Sequence, residues 1–205
     1  MTPRLFNRTT LCAVWLIAAT VGGLSLMRYE KSVGARNITP EVWPQPAVPK
    51  LDATRDTLIL FAHPRCPCSR ASLEELNRIL AGRSGQIAAH ILFMNPSGVS
   101  NDWTQTSLRA TAESIAPVSV ANDPDGKIAR QFGAETSGFV VLYSPEGKLL
   151  FSGGITAGRG QIGDNTSKSA LLERVARREN DPVGTPVFGC SLQCSSTNQL
   201  PETTQ

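Results

Sequence analysis

The chain has 205 residues, 18% of them charged, with a formal net charge of +3. That length permits one ordinary globular domain with accessory segments. The basic residues are scattered rather than gathered into a stripe, so the composition carries no nucleic-acid footprint and no nucleic-acid partner is expected.

Residues 1–8 carry Arg4 and Arg8 and are expected to stay in the cytoplasm. From Thr9 to Met27 there is no charge, and Leu11, Val14, Trp15, Leu16, Ile17, Val21, Leu24 and Leu26 make the stretch apolar. As a helix it measures about 28 Å, enough to cross a bilayer core. Two readings stand, a signal anchor that is retained and a signal peptide that is removed. The small residues a peptidase needs are poorly formed, because Met27-Arg28-Tyr29-Glu30-Lys31 follows at once, and this favours a single-pass anchor over 9–27. Cys12 inside it reads as apolar filler.

Residues 28–50 contain Pro40, Pro44, Pro46 and Pro49 and read as an extended, semi-rigid spacer, with Trp43 on either the membrane interface or the domain. The domain is expected over 51–180. Thr57–Phe61 is an apolar strand, and Ser69–Leu80 is a helix with Leu73, Leu76 and Leu80 on one face and Ser72-x-x-Glu75 as a capping box. Gln86–Met94 reads as a strand, Asp102–Ile115 as a helix, and Val118–Val120 as a short strand. Asp123-Pro124-Asp125 opens a brief helix through Phe132. Phe139–Tyr143 and Lys148–Phe151 flank a hairpin turn, and Ser167–Glu179 is a last amphipathic helix. Strands alternating with helices and ending in a hairpin imply an α/β fold, a mixed sheet covered by helices on both faces.

The chemistry concentrates at His63-Pro64-Arg65-Cys66-Pro67-Cys68-Ser69, a strand-to-helix corner with two thiols. Backbone N–H groups at a helix start, with Arg65 nearby, stabilise thiolate over thiol. Residues i and i+2 lie about 200° apart around a helix, so a Cys66–Cys68 bond has to belong to the turn before it. Pro67 stiffens that turn. A disulfide closing so small a ring departs from relaxed geometry and is the more easily reduced. The competing chemistry is metal binding: His63, Cys66 and Cys68 offer an imidazole and two thiolates, donors suited to copper as Cu(I), or to zinc with a fourth ligand. His63 is equally open to a turn role or to tuning a thiol, and His90, alone in its strand, reads as structural.

Two separate stretches resemble the thioredoxin-like superfamily. Phe61-Ala62-His63-Pro64-Arg65-Cys66-Pro67-Cys68 is similar to the family's F-x-x-P-x-C-P-x-C, with one residue fewer between the cysteines. Gly133 to Gly147 is similar to its G-V-x-x-T-P-x-x-F-L-I-D-P-D-G segment, with Ser137-Gly138 where a cis-proline usually faces the thiols. Within the superfamily, Cys66–Cys68, Gly153–Gly160 and Val187–Cys190 look closest to small membrane-tethered bacterial proteins of RedB type. The resemblance implies a thioredoxin-like domain behind one N-terminal transmembrane helix in a bacterial inner membrane, facing the periplasm or cell exterior. It also implies thiol–disulfide exchange with exported protein thiols or disulfides. Cys66 is then the attacking thiol and Cys68 its partner, with His63, Arg65, Pro67, Ser137 and Gly138 tuning the pair or meeting substrate. A non-catalytic interaction module is the further alternative.

The Gly-rich stretch Gly153–Gly163 fits no nucleotide fingerprint and reads as a mobile loop, with Arg159 able to add positive potential near the thiols. The tail over 181–205 carries Cys190 and Cys194. Either they form a local staple, or Val187 and Phe188 dock the tail and bring Cys190 to the corner as an accessory thiol.

Overall fold

The computed structural model describes residues 8–46, 48–177 and 181–193. The chain divides into two units, Met1–Ser32 and Val33–Gln205. In the first, helix α1 (Arg8–Glu30) buries no residue of its own. It is long and apolar enough to cross a membrane. Its two central hydroxyls are satisfied within the helix, Thr20 Oγ1 donating to Leu16 O at 2.7 Å and Ser25 Oγ to Val21 O at 2.8 Å.

The second unit is a mixed sheet with helices on both faces. Its elements are β1 (Asp56–Ala62), α2 (Cys68–Ala81), β2 (Ile87–Asn95), a 3₁₀ turn (Asn101–Trp103), α3 (Ser107–Glu113) and β3 (Val118–Pro124). Then come α4 (Lys127–Gln131), β4 (Phe139–Tyr143), β5 (Leu149–Gly153), α5 (Thr166–Arg177) and β6 (Val183–Gly184). The strand order is β3-β2-β1-β4-β5-β6. β1, β2 and β3 run parallel, β4 is antiparallel to β1, and β5 is antiparallel to β4.

Central strand β1 is buried along its whole length, which is why it reads as a continuous apolar run rather than an alternating one. Leu58 and Leu60 face a core built with Leu73, Leu76 and Ile79 of α2, Leu108 and Ala112 of α3, and Leu171 and Val175 of α5. Ile59 and Phe61 face the opposite core with Ala129 of α4, Phe132, Trp43, Val187 and Leu192.

Four expectations are corrected. The stretch read as a spacer through Lys50 is part of the folded unit from Val33 on. Trp43 is 5% exposed and meets Phe132 and Tyr143 edge-on, both at 5.1 Å between ring centres. Arg36 and Val42 make antiparallel bridges to Ala134 and Lys148. Prolines set extended backbone there, but one large aromatic side chain decides where it lies.

Ser72 and Glu75 form no capping box, since α2 starts at Cys68 after Pro67 and both residues are buried inside it. The helix expected over Asp102–Ile115 is broken, because Thr106 takes an extended conformation and caps α3, its Oγ1 accepting from Arg109 N at 3.3 Å. Asp123-Pro124 ends β3 instead of opening a helix. From the strand end the Asp123 carboxylate accepts the N–H groups of Ile128 and Ala129, both at 2.8 Å.

Candidate functional site

β1 delivers the chain to His63 beside the start of β4, where Gly138 N donates to Phe61 O at 2.8 Å. The thiol corner and the Ser137-Gly138 pair therefore stand side by side. Cys66 lies in the connecting turn, its N–H donating to His63 O at 3.1 Å, and Cys68 is the first residue of α2. Among the described residues Cys12, Cys66, Cys68 and Cys190 are free thiols. Cys194 lies outside the described residues, so the Cys190–Cys194 staple is not tested by the structure.

Ser137 is the hub of the corner. Its Oγ accepts from His63 N at 2.8 Å and meets Ser69 Oγ at 2.5 Å, and its N–H donates to Cys190 O at 2.8 Å. One orientation satisfies the run: His63 N–H occupies Ser137 Oγ, the Ser137 hydroxyl donates to Ser69, and the Ser69 hydroxyl donates to the Cys66 sulfur. Ser69 was not among the residues singled out from sequence. Its signal was its place directly after Cys68, in the first turn of the helix.

Cys66 is 2% exposed. Burial alone pushes its thiol up, but donation from the Cys190 thiol and N–H and from the Ser69 hydroxyl and N–H outweighs it and holds Cys66 below the ordinary value. The two half-exposed thiols go the other way. Cys190 is pushed up to about 12 by burial, then by its hydrogen bond to Cys66 and by the charge there. Cys68 is raised by burial and by Cys66, against an opposing pull from Arg159. The three neighbouring thiols are thus shifted apart, Cys66 down and Cys68 and Cys190 up.

Arg159 belongs to that cluster. Its guanidinium donates to Gly189 O at 2.6 Å and also meets Cys68. The Gly-rich loop that carries it is pinned, because Gly163 N donates to Glu75 Oε1 at 2.6 Å and Lys168 pairs with Glu75 Oε2 at 2.9 Å. The mobile-loop expectation is thereby corrected. A buried carboxylate inside α2, invisible to pattern reading, holds the loop.

Gly138 has φ +90°, and a Cβ there would stand 2.7 Å from Ser72 Oγ. Its N–H is also used by Phe61 O. Proline has neither that N–H nor access to positive φ, so the usual proline is incompatible with this backbone. At Gly189 a Cβ would run into the carbonyl of Ser137, so only glycine lets the tail approach so closely.

The metal donor set is not assembled. His63 Nδ1 accepts from Arg65 N at 3.1 Å, and its ring packs edge-on against Trp103 at 5.3 Å. Burial, then Arg65, lowers the His63 pKa, in keeping with a neutral acceptor. Among the described residues no three His, Cys, Asp or Glu side chains are grouped to hold a metal ion. Arg65 is exposed, with its guanidinium 5.6 Å from the Trp103 ring centre. A cleft of about 300 Å³ beside Cys66 is lined by Pro64, Arg65, Pro67, Arg70 and residues 106–108 of the α3 start. His90 sits mid-strand on β2 opposite Ile59, remote from this corner in the sheet register.

The fold is a mixed sheet flanked by helices, with the thiols at the end of its central strand. No protein-family model and no curated protein matches the sequence. Among solved structures, an uncharacterized conserved protein from Geobacillus kaustophilus is similar at 15% identity and a TM-score of 0.62, over 81% of this chain and 98% of that one. A hypothetical protein from Sinorhizobium meliloti is similar at 16% identity and a TM-score of 0.57, over 80% and 96%. A putative thiol:disulfide interchange protein DsbE from Chlorobium tepidum matches at 20% identity and a TM-score of 0.45, over 71% and 96%. For the first two, the likeness at these identities is one of fold.

Proposed function

We propose that this chain is a membrane-anchored thiol–disulfide oxidoreductase that acts on exported protein thiols or disulfides through Cys66-Pro67-Cys68. Residues 9–27 are the anchor in a bacterial inner membrane, and the domain faces the periplasm or cell exterior. Cys66 is the nucleophile and Cys68 its disulfide partner. The observation that carries the reading is the position of Cys66 and Cys68 at the turn between β1 and α2, beside Ser137 and an open cleft, with the Cys66 thiol held below its ordinary value by neighbouring donors. The cleft beside Pro64, Arg65, Pro67 and Arg70 offers a substrate sulfur its approach. The RedB-type resemblance fits the same picture. Its three motifs, Cys66–Cys68, the loop with Arg159, and Val187–Cys190, meet at one cluster.

Redox titration of the full chain against glutathione, followed by alkylation of Cys66, tests the reading. The expected result is a defined midpoint at which Cys66 passes from alkylated to protected. If Cys66 remains a thiol at every poise, the oxidoreductase reading is wrong.

A further inference from the structure

The exchange chemistry proposed above uses two thiols, yet the site holds three. Cys190 is fastened on both sides. Its carbonyl accepts from Ser137 N at 2.8 Å, Ser191 bridges Thr136 in antiparallel fashion, and Leu192 N donates to Glu135 O at 2.8 Å. On the preceding side Gly189 O accepts from Arg159 at 2.6 Å, and Val187 is fully buried with its carbonyl accepting from Gly34 N at 2.8 Å. The tail thus lies along Glu135–Ser137 as an added strand would, which brings Cys190 to the Ser137 side of the corner, and its thiol acts on the neighbouring Cys66. An apolar filler cysteine requires no such fastening.

The competing bond is the weaker one. A Cys66–Cys68 disulfide closes a ring across one residue, and such a bond departs from relaxed geometry and is easily displaced. A Cys66–Cys190 bond joins two separate segments and closes no small ring. Arg159 stands where the exchange needs a cation, against Cys68, the sulfur that leaves with negative charge.

We infer that Cys190 is a third redox thiol of this site and takes over its disulfide by attacking Cys66 of the Cys66–Cys68 bond. The inference rests on the exchange reading given above. Cys190 gives up its proton, its sulfur bonds to Cys66, and the Cys66–Cys68 bond breaks. Cys68 departs as a thiolate beside Arg159 and takes up a proton. One disulfide replaces another and no electrons leave the protein. Oxidation thereby fastens the tail covalently across the Ser137 side of the site. Among the described residues, those lining the cleft at Pro64, Arg65, Pro67 and Arg70 do not belong to the tail, and a partner approaches from that side.

The test is disulfide mapping of the full chain in detergent, oxidised with glutathione disulfide, acid-quenched, alkylated and digested. Peptides joining Cys66 to Cys190 are expected in excess over those joining Cys66 to Cys68, on the order of tenfold, which places the Cys190→Ser midpoint about 30 mV higher than that of the unaltered chain. Mapping the unaltered chain needs no variant to fold. Cys66–Cys68 as the main product, with a midpoint unchanged in Cys190→Ser, overturns the inference and leaves the oxidoreductase reading standing. Cys190 joined to Cys194 or to Cys68 also overturns it. Absence of any Cys66 disulfide overturns both.

Discussion

The hydroxyl of Ser69 bears directly on how much of Cys66 is thiolate. It is the end of a run in which each donor has one acceptor, from His63 N through Ser137 and Ser69 to the sulfur. Hydrogen bonds to a charged acceptor contribute about 1.5–3 kcal/mol, and burial has to be offset before any depression appears. Ser69→Ala removes one donor and leaves its N–H in place. The titration midpoint of Cys66 is expected to rise by about one pH unit. Ultraviolet thiolate absorbance, taken as the difference between Ser69→Ala and the same chain with Cys66→Ser, measures it; an unmoved midpoint refutes the hydrogen-bond run. The sign of the linkage follows from the lowered folded value. Cys66 contributes stability above the unfolded thiol pKa and loses it as pH falls through the folded one. Ser69→Ala narrows that window from below.

At the scale of elements, Glu75 ties α2, α5 and the Gly-rich loop together. The carboxylate is fully buried, Lys168 from α5 sits 2.9 Å from Oε2, and the loop N–H of Gly163 donates to Oε1 at 2.6 Å. Removing one partner of a buried pair leaves the other charge uncompensated. Lys168→Met is therefore expected to cost about 3 kcal/mol, the low end for such a pair because Gly163 N–H and Arg78 remain. Glu75→Gln keeps an acceptor for Gly163 and should cost about 1–2 kcal/mol. Chemical denaturation of the two variants ranks them, and a Lys168→Met midpoint equal to wild type removes Glu75 as a structural tie. Elements held by their own periodicity were legible in the sequence, as with Phe139–Tyr143, found with those bounds. The thiol corner was legible for a similar reason, since a strand end and a helix start stand within seven residues, from Ala62 to Cys68. Elements decided by a distant side chain were not. Asp123 caps α4 from a strand end, and Glu75 looks like a cap until Lys168 and Gly163 are known. Ser137 was legible as a position but not as the hub joining His63, Ser69 and Cys190.

For the whole molecule the question is where the domain begins, and composition and packing answer differently. Prolines suggest Leu51, whereas the contacts of Gly34, Arg36 and Trp43 suggest Val33. Packing should win, because a buried tryptophan contributes about 3–5 kcal/mol and a small domain is stable by only about 5–15. A chain starting at Val33 is expected to unfold cooperatively with the same denaturation midpoint as the full chain in detergent. One starting at Leu51 lacks Trp43, the Tyr143 hydroxyl's bond to Pro40 O at 2.6 Å and the Gly34 contact with the tail, so it should unfold at a markedly lower midpoint. The same pair of chains separates anchor from domain. α1 exposes Trp15, Leu16 and Ile17 among other large apolar side chains and carries its charges only toward its ends, at Arg8, Arg28 and Glu30. The full chain should therefore stay in the membrane pellet through an alkaline wash that strips peripheral proteins, while the chain from Val33 stays in the supernatant. Release of the full chain by alkali refutes the anchor. Equal stability of the Leu51 and Val33 chains returns residues 33–50 to the role of spacer.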